Sequence, residues 1–457
     1  MIHFAEDSMD KSLIDSLWNE NIDGYLDLLR INSVYDEGTV SDISPYGNGV
    51  KKALDYMRDQ MKASGFLVKE YNNEVVSGET GDGSDDERID IVSHLDVVEP
   101  GDGWIYPPFD PIEKDGRIYA RGSQDMKIGA WLTFIALRHL RDNGLLGKRK
   151  IRLVYGSDEE RWMEDMKRYI DKEGEPAFAF TPDGQFPVTL GEKGIGMWVL
   201  CGDYSGHVKE LRGGVQANVI PAEASAIFDI GDLEKIISFM NKHHINGEVE
   251  PVDQGIKITV HGVSAHASKP EMGHNATIDL LRIGKEVFSD SFLGKMYDFF
   301  YDPRGKGAGM EYDIEPMGEL SLNLGIFNII NGKAYAEIDC RYPYGADFDV
   351  MTARYSEVFP ELDIDIPYHS GPTLADKDSP FIIALGECYR KVTGSKNTTF
   401  ISGGVSYAKV IKNCVNFGTT LEGREYVAHQ KNEYIDINDM KQVLEIYMEA
   451  IKSISNL

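Results

Sequence analysis

From Arg88 to Asp183 short apolar runs alternate with helical stretches, and the runs stop on residues able to hold a metal ion. "RIDIVSHLDVV", "KIRLVYG" and "AFAFTPD" have the length and β-branched content of strands. "MKIGAWLTFIALRHLRDNG" carries helical periodicity, with Leu132, Ile135, Ala136 and Leu140 on one face and Asn143-Gly144 as its stop, and "EDMKRYIDKEG" repeats the helical pattern. Strand–helix–strand units demand crossovers rather than hairpins, so this stretch predicts a mostly parallel sheet with helices on both faces. Such sheets carry their functional groups beyond the carboxyl ends of the strands. There the chain places His94 and Asp96 in "DIVSHLD", Glu159 and Glu160 in "LVYGSDEE", and Asp183 in "AFTPD". Asp125, in "ARGSQDMKIG", stands just ahead of a helix, and "VAHQKNEY" offers His429.

Upstream, "KSLIDSLWNENIDGYLDLLRI" and "GVKKALDYMRDQMKASG" read as two amphipathic helices. "FLVKEYNNEVV" and "RIDIVSHLDVV" read as strands flanking "SGETGDGSDDE". That acidic stretch lacks the Asp-x-Asp-x-Asp-Gly order of a calcium loop and reads as a solvated hairpin turn. From about Gly194 the texture shifts to longer strand-like runs such as "GIKITVHG", "SLNLGIFNIING" and "KAYAEIDCRYP"; helices return near Pro372. With 457 residues, 42% of them hydrophobic, the chain has material for two cores. The expected organisation is an α/β domain formed by residues 1–193 and 369–457, interrupted by an inserted α+β domain over residues 194–368.

Charge narrows the partners. Lys and Arg total 47 against 75 Asp and Glu, a net charge of −28, which opposes nucleic acid and anionic membranes as partners. The start "MIHFAEDSMDKS" lacks the basic and apolar regions of a secretory leader, no stretch reaches the roughly 18 apolar residues of a membrane span, and a cytoplasmic protein is expected. Cys201, Cys340, Cys388 and Cys414 form no Cys-x-x-Cys pair, which points to buried thiols rather than a disulfide framework.

Taken singly, each candidate has a plainer role. An Asp before a helix is commonly an N-cap, and Asp158-Glu159-Glu160 would suit the positive end of a helix dipole. Capping does not explain two histidines and several carboxylates gathered at successive strand ends. Oxygen ligands mixed with imidazole suit Zn²⁺, Mn²⁺ or Co²⁺ in a carboxylate-bridged pair.

"SHLDVVEPGDGW", "RGSQDMK", "DEE", "TPDGQFPVTLGEKG", "GGVQANVIPAEA", "GVSAHASKPEMGHNA", "DCRYP" and "AHQKNEYI" follow one another along nearly the whole chain. In this order they resemble the di-zinc dipeptidases related to aminoacylase and carnosinase, the PepV-type bacterial dipeptidases most of all. The resemblance implies two Zn²⁺ per chain, with Mn²⁺ or Co²⁺ as possible substitutes. Asp125 would bridge them, His94 and Asp183 completing one site and Glu160 and His429 the other. It also implies that Asp96 orients His94, that Glu159 is the general base, and that Asp158 is a structural cap or turn residue. The inserted domain would then be a lid, with His266 stabilising the oxyanion and Asn218 and Arg341 binding substrate; for Arg341 a structural ion pair is the alternative.

The implied activity is hydrolysis of dipeptides by a monomer through a metal-bridging water, two ions lowering the pKa of that water toward 7. A deacylase of N-acyl amino acids with the same metals, or a non-catalytic binding protein on this fold, are the alternatives. Several positions depart from the family pattern. Ile128 stands where glycine is usual, Arg161-Trp162-Met163 where small residues are common, and Val405 and Ser406 within "SGGVSYAK" where "GGGTYAR" is typical, Lys409 replacing its arginine. "LEG" at 421–423 replaces a Pro-Gly turn. None is an implied ligand, so the departures bear on substrate range rather than reaction type.

Overall fold

The structure, a computed structural model, describes residues 10–457; the N-terminal segment examined above for a leader lies almost wholly outside them. The chain forms two compact units, Met1–Gly191 with Leu374–Leu457, and Glu192–Thr373.

The first unit is built on a nine-stranded sheet. Its order runs Leu67–Tyr71, Val75–Thr80, Ile151–Gly156, Ile89–His94, Phe178–Thr181, Cys414–Asn416 and Val188–Glu192 before the far edge. The four central strands, from Ile151–Gly156 to Cys414–Asn416, pair in parallel, and antiparallel strands flank them. Alternation along these strands explains the layers. Ile89, Ile91, Leu153, Tyr155, Phe178 and Phe180 enter one core cluster, whereas Val92, Val154 and Ala179 enter another. Helices Lys11–Arg30, Asn48–Ala63, Lys127–Asp142, Pro380–Thr393 and Ile437–Ile454 contribute to the first cluster, and Met166 and Tyr169 of helix Glu164–Glu173 to the second. Both faces of the sheet are therefore covered.

Helix Lys127–Asp142 is buried without a break from Lys127 to Leu137, so it has no solvent stripe over that length, unlike the one-faced helix its periodicity suggests. The Lys127 ammonium enters the interior by donating to the carbonyls of Leu28 (3.2 Å) and Ile31 (2.7 Å), which end helix Lys11–Arg30; burial pushes its pKa down to about 7. Gly129 lets this helix approach the neighbouring strand end. A Cβ there would lie 2.3 Å from the Pro182 carbonyl oxygen.

The acidic stretch before Arg88 is not a hairpin turn. The hairpin is formed one strand earlier, at Asn72-Asn73, whose φ angles of 50° and 59° suit a type I′ turn between Leu67–Tyr71 and Val75–Thr80. Strand Ile151–Gly156 inserts between Val75–Thr80 and Ile89–His94, so the acidic residues lie in a connection between strands that do not pair. Adjacency in sequence suggested the wrong partner.

The second unit carries an eight-stranded antiparallel sheet, ordered Gly247–Val252, Gly255–His261, Glu223–Phe228, Val208–Gly213, Ser321–Ile330, Lys333–Tyr342, Gly194–Asp203 and Asp363–Ser370. Every second residue of Glu223–Phe228 is buried, and helices Ala276–Phe288, Ser291–Phe300 and Phe348–Val358 share its core with Trp198, Phe228 and Ile338. Pro251 and Pro367 both lie in edge strands, where a missing N–H costs no ladder bond and discourages pairing with another chain. Among the described residues no helix is long and apolar enough to cross a membrane.

Candidate metal centre

Parallel register puts the ends of three central strands on one edge, since His94 pairs with Gly156 and Ile91 with Phe180. His94 closes its strand and is fully buried. Its Nδ1–H donates to the Asp96 carbonyl oxygen at 2.9 Å, which leaves the lone pair on Nε2. That nitrogen faces Oδ1 of Asp125 at 3.1 Å, Oε2 of Glu159 at 3.8 Å and Oδ2 of Asp183 at 3.8 Å. A lone pair facing three carboxylates is repulsive unless a proton or a metal cation lies among them.

Asp125 precedes helix Lys127–Asp142 and divides its carboxylate. Oδ1 faces His94, and Oδ2 lies 3.1 Å from Nε2 of His429, which is also 3.0 Å from Oε2 of Glu160. Two groups thus bring potential ligand atoms within 4.8 Å of one another: His94, Glu159 and Asp183, and His94, Asp125 and Glu160. His94 belongs to both. The donor set, imidazole nitrogens with hard carboxylate oxygens around a buried core, fits a pair of divalent ions such as Zn²⁺ or Mn²⁺.

The protein alone strains to accommodate this charge. Burial raises Glu159 well above the ordinary carboxylate range, and the nearby Asp183 and Glu160 push the same way. Burial raises Glu160 too, with Asp125 adding to the effect. Against the burial that opposes it, hydrogen bonding to Asp125 and Glu160 lifts His429 to about 11. Like charges share one small volume, and protons on the histidines are what offset them in the absence of metal.

The three consecutive carboxylates separate by position. Asp158 is buried, and its carbonyl accepts from the amides of Arg161 (3.4 Å), Trp162 (3.2 Å) and Met163 (2.8 Å). Its Oδ2 accepts from the Glu164 amide at 3.0 Å, where helix Glu164–Glu173 begins. Asp158 therefore shapes the turn, while Glu159 and Glu160 enter the cluster. Asp96 touches His94 chiefly through its backbone; its Oδ1 lies 3.5 Å from Nδ1, and its Oδ2 accepts from the Glu160 amide at 3.1 Å.

Of the second-unit candidates, Asn218 and His266 lie on adjacent segments: Val219 bridges to His266, and the Ala267 amide donates to the Asn218 carbonyl at 2.9 Å. Nδ1 of His266 accepts from the Ser268 amide at 3.1 Å, which places the proton of the neutral ring on Nε2. Burial lowers its pKa, and the Arg341 charge lowers it further. Arg341 grips Asp339 with Nε and Nη2, each at 2.8 Å, so its bidentate edge already holds a carboxylate of its own unit.

Three supporting residues went unassigned in the sequence reading. Glu433 is fully buried and gathers four donors from residues 121–125, Gln124 reaches back to residues 425–427, and Tyr407 stands behind His94 with its ring edge-on at 6.4 Å. The Tyr407 hydroxyl donates to Asp165 at 2.8 Å. Their only signal was membership of the quoted runs "RGSQDMK", "AHQKNEYI" and "SGGVSYAK". Among the departures, Ile128 is in the core, Val405 packs against the second core cluster, the Ser406 hydroxyl donates to Asn416 at 2.6 Å, and Trp162 is 53% exposed.

Residues 91–453 match the model of Peptidase family M20/M25/M40. A protein of Staphylococcus haemolyticus provisionally named a dipeptidase is 30% identical over 97% of this chain and 99% of its own length. Human carnosine dipeptidase 1 has a similar fold, with TM-score 0.61 at 14% identity, covering 98% of each chain. The dipeptidase Dug1p from Saccharomyces cerevisiae gives 0.60 at 15% identity, again over 98% of each.

Proposed function

The chain belongs to peptidase family M20/M25/M40, a hydrolase acting on peptide bonds, and from that premise we propose that it is a dipeptidase working with two zinc ions. The observation that carries this reading is the division of Asp125 between His94 and His429, each imidazole lying beside further carboxylates. Asp125 would bridge the ions, His94 and Asp183 would hold one, and Glu160 and His429 the other. Zinc supplies the Lewis acidity that makes water nucleophilic near neutral pH.

Glu159 takes the proton of the attacking water as oxygen bonds to the scissile carbonyl carbon, then delivers it to the amide nitrogen as the C–N bond breaks. Its environment supports the role, since a carboxylate raised by burial is a stronger base than an exposed one. Asp96 steadies the His94 ring through its carbonyl and the Glu160 backbone through its carboxylate. The family motifs that carry them assign His266 to the oxyanion and Asn218 and Arg341 to the substrate; within the second unit the neutral His266 ring keeps its proton on Nε2 and Asp339 holds the Arg341 guanidinium. A cytoplasmic, monomeric enzyme with small peptides as substrates is the corresponding setting; the net charge of −28, which disfavours anionic membranes, supports the first part.

The test is an assay on free and N-acetylated dipeptides, before and after chelation and with zinc or manganese restored, alongside Glu159→Gln. Metal-dependent cleavage of the free dipeptides, lost in the variant while metal is retained, is the expected result. Turnover confined to acylated substrates would move the assignment to a deacylase. A metal-loaded protein with no turnover would mark a binding protein on this fold.

A further inference from the structure

His429 lies in a segment of irregular backbone. Its φ is 63° and that of Asn432 is 58°, both in the left-handed region that few residues with a Cβ enter. Such a conformation persists where neighbours over-determine it, and here two side chains bracket the histidine. On one side Gln124 accepts from the Val427 amide through Oε1 at 2.6 Å and donates through Nε2 to the Glu425 carbonyl at 3.2 Å. On the other, Oε1 of Glu433 accepts from the amides of Gln124 (2.6 Å) and Asp125 (3.0 Å), while Oε2 accepts from Nη1 of Arg121 (2.6 Å) and the Gly122 amide (3.1 Å). Gln124 and Glu433 are 309 positions apart in sequence.

The exchange is reciprocal. Gln124 reaches from the Asp125 loop to the His429 segment, and Glu433 reaches from the His429 segment to the Asp125 loop. We propose that Gln124 and Glu433 are positioning residues that together set the separation of Asp125 and His429, and so the affinity of the ion held between Asp125, Glu160 and His429. The inference rests on the two-zinc reading above.

The chemistry of each side chain fits the task. A carboxylate accepts from four donors with no hydrogen of its own to misplace. An amide is needed at 124, because one end must accept and the other donate. Ligand positions in a metal site tolerate errors of only about 0.2 Å, and His94 and Asp183 belong to neither clamped segment. Loosening the clamp should therefore weaken one ion more than the other.

Zinc-stripped full-length protein would be titrated with Zn²⁺ under equilibrium dialysis, and with Co²⁺ while its visible absorption is followed. Wild type, Glu433→Gln and Gln124→Met would be compared, with thermal unfolding of each metal-free protein as a check on folding. The wild type should take up two ions, and each variant should hold the ion at Glu160 and His429 about 10–100-fold more weakly, with a clearly smaller loss for the ion at His94 and Asp183. The cobalt spectrum of the ion at Glu160 and His429 should change shape, which a general loss of stability would not produce. If Glu433→Gln folds poorly, Gln124→Met decides, because it leaves the buried carboxylate in place. Two ions bound as in wild type, or both weakened equally, would overturn the clamp and leave the two-zinc reading standing. A wild-type chain that takes up no metal would overturn that reading and the clamp with it.

Discussion

Oδ2 of Asp125 lies 3.1 Å from Nε2 of His429, while its other oxygen stands at the same distance from Nε2 of His94. One carboxylate thus connects the edge of the sheet to a loop near the end of the chain. In Asp125→Asn an amide nitrogen would replace one of these oxygens and meet either a ligand nitrogen or a cation. Zinc content and kcat/KM should both fall, the latter by at least about 100-fold, with the fold retained by circular dichroism. Metal content and activity at wild-type level would remove Asp125 from the centre.

Glu159 and Asp158 offer a contrast between adjacent residues. Glu159→Gln should lower kcat by about 100-fold or more with zinc retained. Asp158→Asn, which disturbs only the turn before Glu164, should keep kcat within several-fold and lower the melting temperature instead. A reversed pattern in parallel kinetic and melting measurements would exchange their roles.

Gly129 is a packing prediction. In Gly129→Ala the new methyl would meet the Pro182 carbonyl oxygen at 2.3 Å, a backbone atom that cannot rotate away. Helix and strand end must separate, at a cost of about 1–3 kcal/mol, and Asp183 moves with Pro182. Urea denaturation should show the loss, and zinc binding should weaken in the folded fraction.

Asp165 governs a pH effect on stability. Burial, against the hydrogen bonds from the Ser157 amide and the Tyr407 hydroxyl, raises its pKa to about 7 from an unfolded value near 4. The folded state therefore binds this proton more tightly than the unfolded chain does. Its stabilising contribution is fully present below about pH 4 and is lost as pH rises through 7. Melting temperatures of Asp165→Asn across that range should decline less steeply than those of the wild type; identical slopes would show that the carboxyl does not titrate there.

Much of this was legible in the chain. The strands ending at His94, Gly156 and Thr181 were readable because a buried strand in a parallel sheet is a continuous apolar run, and its end is where polarity returns. Helices Lys11–Arg30 and Ile437–Ile454 announced themselves by periodicity, each preceded by an aspartate whose carboxylate caps the first turn. Partnership was harder to read. The hairpin went to Asn72-Asn73 because two adjacent residues there take positive φ, a choice that alternation of polarity does not record.

The residues named for the centre were visible because imidazoles and carboxylates are unusual at the ends of buried strands, and the structure brings His94, Asp125, Glu159, Glu160, Asp183 and His429 together. Glu433 was not singled out, since a glutamate in "KNEY" looks like any surface carboxylate until four donors from residues 121–125 converge on it. The sequence by itself determined the elements and the chemical types at their ends, because propensity, burial and capping act over a few residues. Only the tertiary structure decided which strand lies beside which, which oxygen faces which imidazole, and which buried carboxylate holds a loop 309 positions away, because those choices depend on distances between parts of the chain that local patterning does not encode.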